Sequence, residues 1–522
     1  MIKKILVILC VIGLSSFGFG SATTIVYPLQ QTITPLGNTI IVDDEGDGDV
    51  VSITEALDIA VSGDIIQVYS GTYEQNLVIS TNNIFLEGIS YELGAGGDES
   101  NPIIQGEENG DVIRIEATNV TITGFIVQQS GRQLIDAGIS IYADDNHVVG
   151  NGILSNFYGI IVNNCSNTEI TGNYIVSNVM DGIYLLYTSN NLVSNNVITE
   201  NGFQGMFLYD TSNNLISENN ITRNGKDGIQ LRNYCSQITI KENNLEMNNI
   251  DGIKIMESQV SNVLITKNTI ISNRWNGIHL MNGNHNEIHE NQITSNLWDG
   301  IHIGNADENI IQKNTIKNNY DHGIDFLFDG CENNIIYHNN IINDAASDNG
   351  NNQWDNGPDA GGNYWSYYNG KDENNDGIGD TPFSIPGSGN EDRYPFMMPL
   401  QPPEKPQTPT GNTFGAVGTS YIYSTRSTDA NRNTIQYGWD WNDDRIIDKW
   451  TPFYTSGEFC NLSIQWETEG TYLIRVIAMD NHGFQSEWSD PLAVTMPKNL
   501  INEHMFTLRT ILQRITILLH RS

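Results

Sequence analysis

The residues best suited to chemistry lie in three similar stretches past the middle of the sequence. They read Arg274-Trp275-Asn276-Gly-Ile-His279, Trp298-Asp299-Gly-Ile-His302 and Tyr320-Asp321-His322-Gly-Ile-Asp325. Exposed aromatic rings stack on the apolar faces of sugars, and carboxylate, imidazole and guanidinium groups bond sugar hydroxyls. The stretches therefore predict a glycan-binding surface composed of Arg274, Trp275, His279, Trp298, Asp299, His302 and Asp325.

The same residues have a structural alternative and a catalytic one. Trp275 and Trp298 would also serve to cover turn backbone, and Asp before Gly is common in turns. Glycoside hydrolysis needs two carboxylates roughly 5 to 9.5 Å apart, and Asp299, Asp321 and Asp325 are the catalytic candidates. Any acidic ladder repeated once per coil meets that spacing, so the sequence leaves catalysis open.

Two repeated signals run in step through the region that contains these stretches. Gly followed by a hydrophobic residue recurs at intervals of 21 to 25 residues from Gly138-Ile139 to Gly323-Ile324, and Asn recurs in a second register from Asn173 to Asn339. Each period holds three short runs of β-forming residues separated by turn residues. This pattern predicts an all-β, right-handed, three-sided parallel β-helix rather than a leucine-rich repeat or a propeller.

Strand alternation places the residue after each glycine inside the solenoid and its neighbour outside. Stacked coils then form an inner column of Ile183, Met206, Ile229, Ile253, Ile278, Ile301 and Ile324. The outer positions of the same strands are Tyr184, Phe207, Gln230, Lys254, His279, His302 and Asp325, preceded by Asp181, Gln204, Asp227, Asp251, Asn276, Asp299 and His322. The repeated Asn residues are expected to form hydrogen-bonded ladders inside turns.

Composition limits the partners and the compartment. Sixty-two acidic and 25 basic residues give a formal charge of −37, which repels nucleic acid and favours cations such as Ca²⁺. Met1-Ile2-Lys3-Lys4 and the short apolar run that follows resemble a secretory signal, so we expect a secreted or cell-surface protein. Outside that signal, Cys165 and Cys235 are expected to be buried thiols, because three coils separate them by more than a disulfide spans.

The chain divides into consecutive units. We predict a signal peptide (1–22), a β-helix (38–345) that opens with a capping helix at Ser52-Ile-Thr-Glu55, a closing segment with a calcium-type loop (346–398), a Pro-rich linker (399–410), an immunoglobulin-like β-sandwich (411–496) and an amphipathic tail (497–522). No stretch after the signal has the length and apolar character of a membrane span.

Gly63-Asp64-Ile-Ile-Gln-Val-Tyr69, followed by Gly71-Thr72-Tyr73, resembles the first coil of NosD-type, pectin-lyase-like repeat proteins, and the later repeats resemble the same group. Gly362-Asn-Tyr-Trp365 and Tyr394-Pro395 resemble the closing segment of its secreted members. The resemblance implies the fold and a carbohydrate-binding or sugar-hydrolysing role. Copper maturation, another role in the superfamily, fits less well, because His and Met do not cluster in the sequence.

Two segments outside the repeats have calcium-loop spacing. Asp372, Asn374, Asp376, the Ile378 carbonyl and Asp380 match the alternate oxygen ligands of such a loop, with Gly377 at the bend and Phe383 where a bidentate Glu is expected. A weaker second match consists of Asp440, Asn442, Asp444 and Asp448. The sandwich phrases Tyr437-Gly-Trp-Asp-Trp441 and Val476-Ile-Ala-Met-Asp480 resemble polycystic-kidney-disease-type or immunoglobulin-like domains.

Three functions remain open from the sequence. They are a glycan-binding repeat protein, a polysaccharide hydrolase or lyase, and a structural surface or adhesion module. Arg274 and Lys254 are the basic residues that a lyase would use on this face.

Overall fold

The computed structural model describes residues 37–496, apart from 92, 94–99 and 258. The predicted signal peptide and the predicted amphipathic tail lie outside the described residues. Within them the chain is all-β, with a single α-helix and three large parallel sheets wound as a solenoid. The predicted fold class is confirmed.

Each coil contributes one strand to each of the three sheets. In the described residues the first sheet has 14 strands: Thr39–Val42, Ile65–Tyr69, Phe85–Ile89, Thr121–Thr123, His147–Val149, Glu169–Thr171, Leu192–Ser194, Leu215–Ser217, Ser236–Lys241, Ser261–Thr266, Glu287–His289, Ile310–Gln312, Glu332–Tyr337 and Asn351–Gln353. The second has 12 strands: Leu77–Ile79, Ile113–Ile115, Ala137–Ile141, Tyr158–Asn163, Ile183–Leu186, Met206–Tyr209, Ile229–Arg232, Ile253–Met256, Ile278–Met281, Ile301–Gly304, Ile324–Phe326 and Ala346–Asp348. The third has 13 strands: Thr72–Glu74, Ile103–Gln105, Ile126–Gln128, Gly152–Leu154, Tyr174–Val176, Val197–Thr199, Asn220–Thr222, Asn244–Glu246, Thr269–Ile271, Gln292–Thr294, Thr315–Lys317, Asn340–Ile342 and Tyr364–Trp365.

The core is a set of columns in which one side chain lies over the next. In the 12-stranded sheet Ile183 is paired with Met206, Met206 with Ile229, and so on to Ile324. All seven members of the predicted inner column are fully buried. Burial of these stacked apolar side chains is the main stabilising contribution of the solenoid.

The asparagine ladders predicted from the second register are present and continuous. Each side-chain amide donates to the side-chain oxygen of the next coil at 2.9–3.2 Å, and that oxygen also accepts from the backbone N–H of the preceding asparagine. The series runs through Asn151, Asn173, Asn196, Asn219, Asn243, Asn268, Asn291, Asn314, Asn339 and Asn363. A second ladder runs from Asn178 to Asn319 and ends on Asp344.

Both ends of the solenoid are covered. The predicted capping helix spans Ile53–Ile59, and the Ser52 hydroxyl accepts from the Glu55 N–H at 3.1 Å. At the other end the three sheets continue past residue 345 for one more coil, through Ala346–Asp348, Asn351–Gln353 and Tyr364–Trp365. The repeat signal is lost there because Asn349-Gly350 and a longer turn replace the usual spacing, so residues 346–365 belong to the β-helix sheets and not to the closing segment alone.

The closing segment seals the last coil with buried aromatic rings and carboxylates. The indole N–H groups of Trp354 and Trp365 donate to Asp348 and Asp392, respectively, at 2.7 and 2.8 Å. A two-stranded antiparallel sheet, Phe383–Ser384 with Glu391–Asp392, completes it, and Phe383 stacks on Trp365.

The C-terminal module consists of two small antiparallel sheets around their own core. One holds Thr410–Gly411, Ser420–Thr425 and Cys460–Gln465, and the other holds Ile435–Asp440, Lys449–Trp450, Gly470–Asp480 and Leu492–Met496. Their shared core contains Tyr423, Tyr437, Trp439 and Ile474. The module contacts the solenoid directly, because Phe484 packs with Phe396 and Leu400, and the Lys313 ammonium donates to the Gly483 carbonyl at 2.9 Å.

The four cysteines among the described residues are Cys165, Cys235, Cys331 and Cys460, and all are buried free thiols. Among the same residues, no helix has both the length and the apolar character needed to cross a membrane.

Candidate functional site

The candidate site is the outward surface of the 12-stranded sheet together with the turn that precedes each of its strands; we refer to this surface as the outer face. The strand pairings align its outward positions coil by coil in the predicted order: Tyr184, Phe207, Gln230, Lys254, His279, His302 and Asp325. The preceding turn is also aligned. Backbone hydrogen bonds join Met180, Phe203, Lys226, Ile250, Trp275, Trp298 and Asp321 in sequence.

The two predicted tryptophans lie in this row of turn residues and form an exposed platform. The Trp275 and Trp298 rings stack with their centroids 5.3 Å apart and 10° between their planes, and about half of each side chain is exposed. Arg274, beside them, is exposed and donates to the Asn249 side chain at 2.9 Å. Because the two rings cover each other's inner faces, a planar or pyranose ligand would contact the outer, exposed part of the pair.

His279 is held by a buried carboxylate from the coil before it. Asp251 is fully buried, and its Oδ2 lies 2.9 Å from His279 Nδ1 and 3.1 Å from Lys254 Nζ. Burial would raise the pKa of Asp251, but the hydrogen bond and charge of His279 and the charge of Lys254 outweigh burial and lower that pKa. Asp251 is therefore ionised and fixes the orientation of the Lys254 and His279 side chains.

One coil further on, Asp299, His302 and Asp325 form a buried cluster, although the sequence pattern predicts an exposed strip. His302 Nδ1 lies 2.8 Å from Asp299 Oδ2 and 3.2 Å from Asp325 Oδ2. His322 Nδ1 lies 3.3 Å from the other oxygen of Asp299 and 3.5 Å from the exposed Asp321. The Asp299, His302 and Asp325 side chains are buried because they pack against one another instead of extending into solvent.

Asp299 is strongly acidic in this cluster. Burial would raise its pKa, but hydrogen bonds from His302 and His322 lower the pKa to about 2. Burial would likewise lower the pKa of His302, but hydrogen bonds to Asp299 and Asp325 raise the pKa to about 9. Asp299 is therefore a permanent carboxylate near neutral pH and has no proton to donate as a general acid.

A second part of the outer face lies N-terminal to the predicted stretches and forms a cleft of about 450 Å³. Its aromatic wall is a stack in which the Tyr158 and Tyr184 centroids are 5.9 Å apart and those of Tyr184 and Phe207 5.0 Å apart. Lys226, Arg232 and Lys254 also line the cleft. The sequence pattern predicts Tyr184 and Phe207 on this face, but the predicted glycan-binding residues come from the Trp-Asp-His stretches. The sequence signal for the cleft was the pair of aromatic residues at consecutive outward positions.

The cleft contains two acids whose protonation differs from that of Asp299. Burial raises the pKa of Asp181 to about 7 and that of Asp227 to about 6, against weaker opposing contributions that include backbone hydrogen bonds. Each accepts a backbone N–H from the next coil, Asp181 from Gln204 at 2.8 Å and Asp227 from Asp251 at 3.0 Å. These carboxyl groups are thus proton donors and acceptors near neutral pH.

The two calcium-type loops share one internal arrangement. In the first, Asp372 accepts from the Gly377 N–H at 2.9 Å and Asp376 accepts from the Ile378 N–H at 2.8 Å. In the second, Asp440 and Asp444 accept from Arg445 and Ile446 in the same way, and Asp448 accepts from the Trp441 N–H. Calcium binding at either loop stays a prediction.

Two family models match the solenoid. Residues 137–293 match the model described as right handed beta helix region, and residues 228–370 match the model described as periplasmic copper-binding protein (NosD). Together with the stacked parallel sheets, these matches establish the chain as a right-handed parallel β-helix protein. Residues 228–370 are similar to the NosD model, in agreement with the resemblance of the repeats.

Several solved structures are similar to parts of the chain. A PKD domain of an M14-like peptidase from Thermoplasmatales archaeon SCGC AB-540-F20 is 39% identical, over 19% of this chain and 99% of that chain, with a TM-score of 0.18. The Azotobacter vinelandii mannuronan C-5 epimerase AlgE4 A-module is 18% identical, over 57% of this chain and 91% of that chain, with a TM-score of 0.47. The enzymatically active domain of bacteriophage CBA120 tailspike protein 2 is 13% identical, over 85% of this chain and 73% of that chain, with a TM-score of 0.40. No curated protein matches the chain significantly.

Proposed function

We propose that this chain is a secreted or cell-surface protein that binds extracellular polysaccharide along the outer face. The observation that carries the proposal is the continuity of the binding surface. A 450 Å³ cleft with a three-ring aromatic wall and a stacked pair of exposed indoles lie on the same face of the same sheet, with fixed polar groups between them. A chain of sugars needs such an extended row of apolar platforms and hydrogen-bonding groups.

The rigidity of the polar groups supports recognition over a purely structural role. Asp251 fixes Lys254 and His279, and Asp299 fixes His302 and His322, so these groups lose little conformational freedom when a ligand binds. Three of the chain's 25 basic residues line the cleft. We therefore expect uronate-containing polymers to bind more tightly than neutral ones, despite the acidic charge of the whole chain.

The test is a binding measurement with neutral and uronate oligosaccharides by isothermal titration calorimetry. Replacing both indoles in W275A/W298A removes the platform, and we expect roughly 30-fold weaker binding because each of the two aromatic contacts contributes on the order of 1 kcal/mol. Tyr174→Ala is the matched control, since Tyr174 is a half-exposed aromatic residue on the 13-stranded sheet. Equal affinity in the indole variant and the control would refute binding at the outer face, and no binding by the wild type would favour a structural or adhesion module.

The protonation of Asp181 and Asp227 favours a second candidate, cleavage of the polysaccharide within the cleft. A carboxyl group with a pKa near 7 acts as a general acid at neutral pH, and the other carboxyl group, two coils away, lies roughly 9 to 10 Å from it at strand spacing. That separation is close to the upper limit for inverting hydrolysis. New reducing ends that disappear in Asp181→Asn would establish a hydrolase, unsaturated uronates would indicate a lyase, and intact oligosaccharide would leave binding alone.

We also propose Ca²⁺ as a structural ion of the first calcium-type loop. The Asp372 and Asp376 carboxylates accept the backbone N–H groups of Asp376, Gly377 and Ile378, which supports a tight turn of the calcium-loop kind, while Phe383 supplies no bidentate ligand, so the affinity should be modest. We expect Ca²⁺ to raise the melting temperature of the wild type and to have less effect on Asp376→Ala. If chelation leaves the melting temperature unchanged, the loop is a hydrogen-bonded turn without an ion.

A further inference from the structure

The buried cluster of Asp299, His302 and Asp325 combines donor atoms that metal ions use. One ligand atom from each of the three side chains lies within 4.8 Å of the other two, and all three residues are less than a tenth exposed. The cluster spans two adjacent coils, since His302 and Asp325 are direct partners in the 12-stranded sheet. Asp299 and His302 thus meet within one coil, and stacking of the next coil adds Asp325.

The distances inside the cluster fit ligands around one small ion. His302 Nδ1 is 2.8 Å from Asp299 Oδ2 and 3.2 Å from Asp325 Oδ2. Two donors bound at about 2.0–2.2 Å to one tetrahedral ion lie roughly 3.3–3.5 Å apart. For an ion to bind, His302 Nδ1 would release its proton to solvent and its separation from Asp299 Oδ2 would widen by roughly 0.5–0.7 Å, whereas its separation from Asp325 Oδ2 would change by only roughly 0.1–0.3 Å.

The two carboxylates of the cluster are compensated by histidines. Asp325 pairs with His302, and Asp299 pairs with both His302 and His322. Among the described residues, the ion pairs of Asp299 and Asp325 are formed with histidines and with neither lysine nor arginine. A divalent ion that takes the place of the His302 Nδ1 proton would compensate both buried carboxylates at once.

Asp299 is also oriented as metal ligands usually are. Its Oδ1 accepts from the His322 backbone N–H at 3.0 Å and lies 3.3 Å from His322 Nδ1, so Oδ2 is left to face His302 and Asp325. Such outer hydrogen bonds fix the carboxylate of a metal site before the ion binds.

We propose that Asp299, His302 and Asp325 bind one divalent first-row transition-metal ion of the Zn²⁺ class on the outer face. One nitrogen and two oxygen donors suit Zn²⁺ or Mn²⁺, whereas copper(I) favours thiolate and thioether ligands that this cluster lacks. The site is separate from both calcium-type loops. Metal binding there depends on neither glycan binding nor cleavage, so it goes beyond the proposed function.

The experiment is a Zn²⁺ titration of the full chain, measured by isothermal titration calorimetry after chelation and dialysis. Excess Ca²⁺ is present so that the calcium-type loops do not compete for Zn²⁺. We expect one ion per chain, and at least tenfold weaker binding in His302→Gln and in Asp325→Asn. Substitution by Co²⁺ should give visible absorption bands that the same variants lose. His285→Gln is the matched control, because His285 forms an exposed pair with Glu308 on another part of the solenoid.

Circular dichroism and melting temperature without metal will show that each variant is folded. If His302→Gln binds Zn²⁺ as tightly as the wild type, or if His285→Gln removes the binding, the proposed site is wrong. Since no glycan is present in this titration, its failure would not affect the outer face as a polysaccharide surface, and failure of glycan binding would not affect the metal site.

Discussion

The asparagine turn and the outer face belong to the same coils, but they use polar side chains in opposite ways. In the turn between the 14-stranded and 13-stranded sheets, the same buried asparagine recurs in consecutive coils, and each one bonds the next. On the outer face the side chain changes at nearly every coil, from Tyr184 and Phe207 to Lys254, His279 and Asp325. Periodic polar residues therefore stabilise this solenoid, and polar residues that break the period mark its candidate site.

The largest effect is expected from Asn219→Ala, which tests whether the periodic asparagines stabilise the solenoid. The change leaves the Asn196 backbone N–H and side-chain amide, together with the Val193 carbonyl, without their buried partner. Each unsatisfied group costs about 1–3 kcal/mol, so we expect a loss of about 3–5 kcal/mol in the free energy of unfolding, measured by urea denaturation. The neighbouring Asn220 is exposed, and Asn220→Ala should cost less than about 1 kcal/mol.

The glycine column should be the next most sensitive. A Cβ added at Gly205 would lie 2.5 Å from Ile221 Cγ2 and 2.7 Å from the carbonyl oxygen of Gly228 in the next coil. Because the neighbouring backbone cannot withdraw without separating two coils, we expect Gly205→Ala to destabilise the protein by about 2–3 kcal/mol. At Gly152 the nearest atom would be 3.7 Å away, and Gly152→Ala should be neutral. Similar melting temperatures for the two variants would contradict close stacking as the reason for the glycine repeat.

Removing a charge from the outer face should stabilise the protein, whereas the two preceding changes should destabilise it. Burial raises the pKa of Asp181 to about 7, so above pH 7 the folded state holds a carboxylate that is more stable in the unfolded chain. Asp181→Asn keeps the hydrogen bond from Gln204 and removes that charge. We expect a gain on the order of 2 kcal/mol at pH 8, which decreases as the pH falls and disappears below about pH 4, where Asp181 is protonated in both the folded and the unfolded state.

Thermal unfolding at several pH values measures this effect, and Asp329→Asn, at an exposed turn position, is the control. A loss of stability in Asp181→Asn would place Asp181 with the structural ladders instead of the candidate site.

The solenoid was predictable because each coil makes the same packing contacts with the same residue types. The intervals of 21 to 25 residues, the Gly-hydrophobic pair and the asparagine register each correspond to a repeated contact in the structure. The last coil was not predictable to the same degree. Its strands at 346–348, 351–353 and 364–365 lie at irregular spacing, and their place in the sheets depends on Trp354 and Trp365 packing against the coil before.

The row of candidate site residues was predictable from the sequence, but the contacts within that row were not. Alternation along the strand placed His279, His302 and Asp325 on one outward row, and stacking confirmed that row. Which carboxylate each histidine contacts depends on rotamers and on the offset between coils: His279 bonds Asp251 of the preceding coil, whereas His302 bonds Asp299 of its own coil. The aromatic cleft likewise depends on how far the turn residues project beyond the strand residues, and a sequence pattern does not give that distance.

The sequence by itself determined how this chain winds into a solenoid. Strands and buried ladder residues recur at a nearly constant interval, and such a repeat allows a single stacked arrangement. Tertiary structure alone decided which acids are protonated. Asp181 and Asp299 occupy equivalent positions before a glycine, yet the pKa of Asp181 is raised to about 7 and that of Asp299 is lowered to about 2. The difference arises because burial dominates at Asp181, while two imidazoles from neighbouring strands surround Asp299.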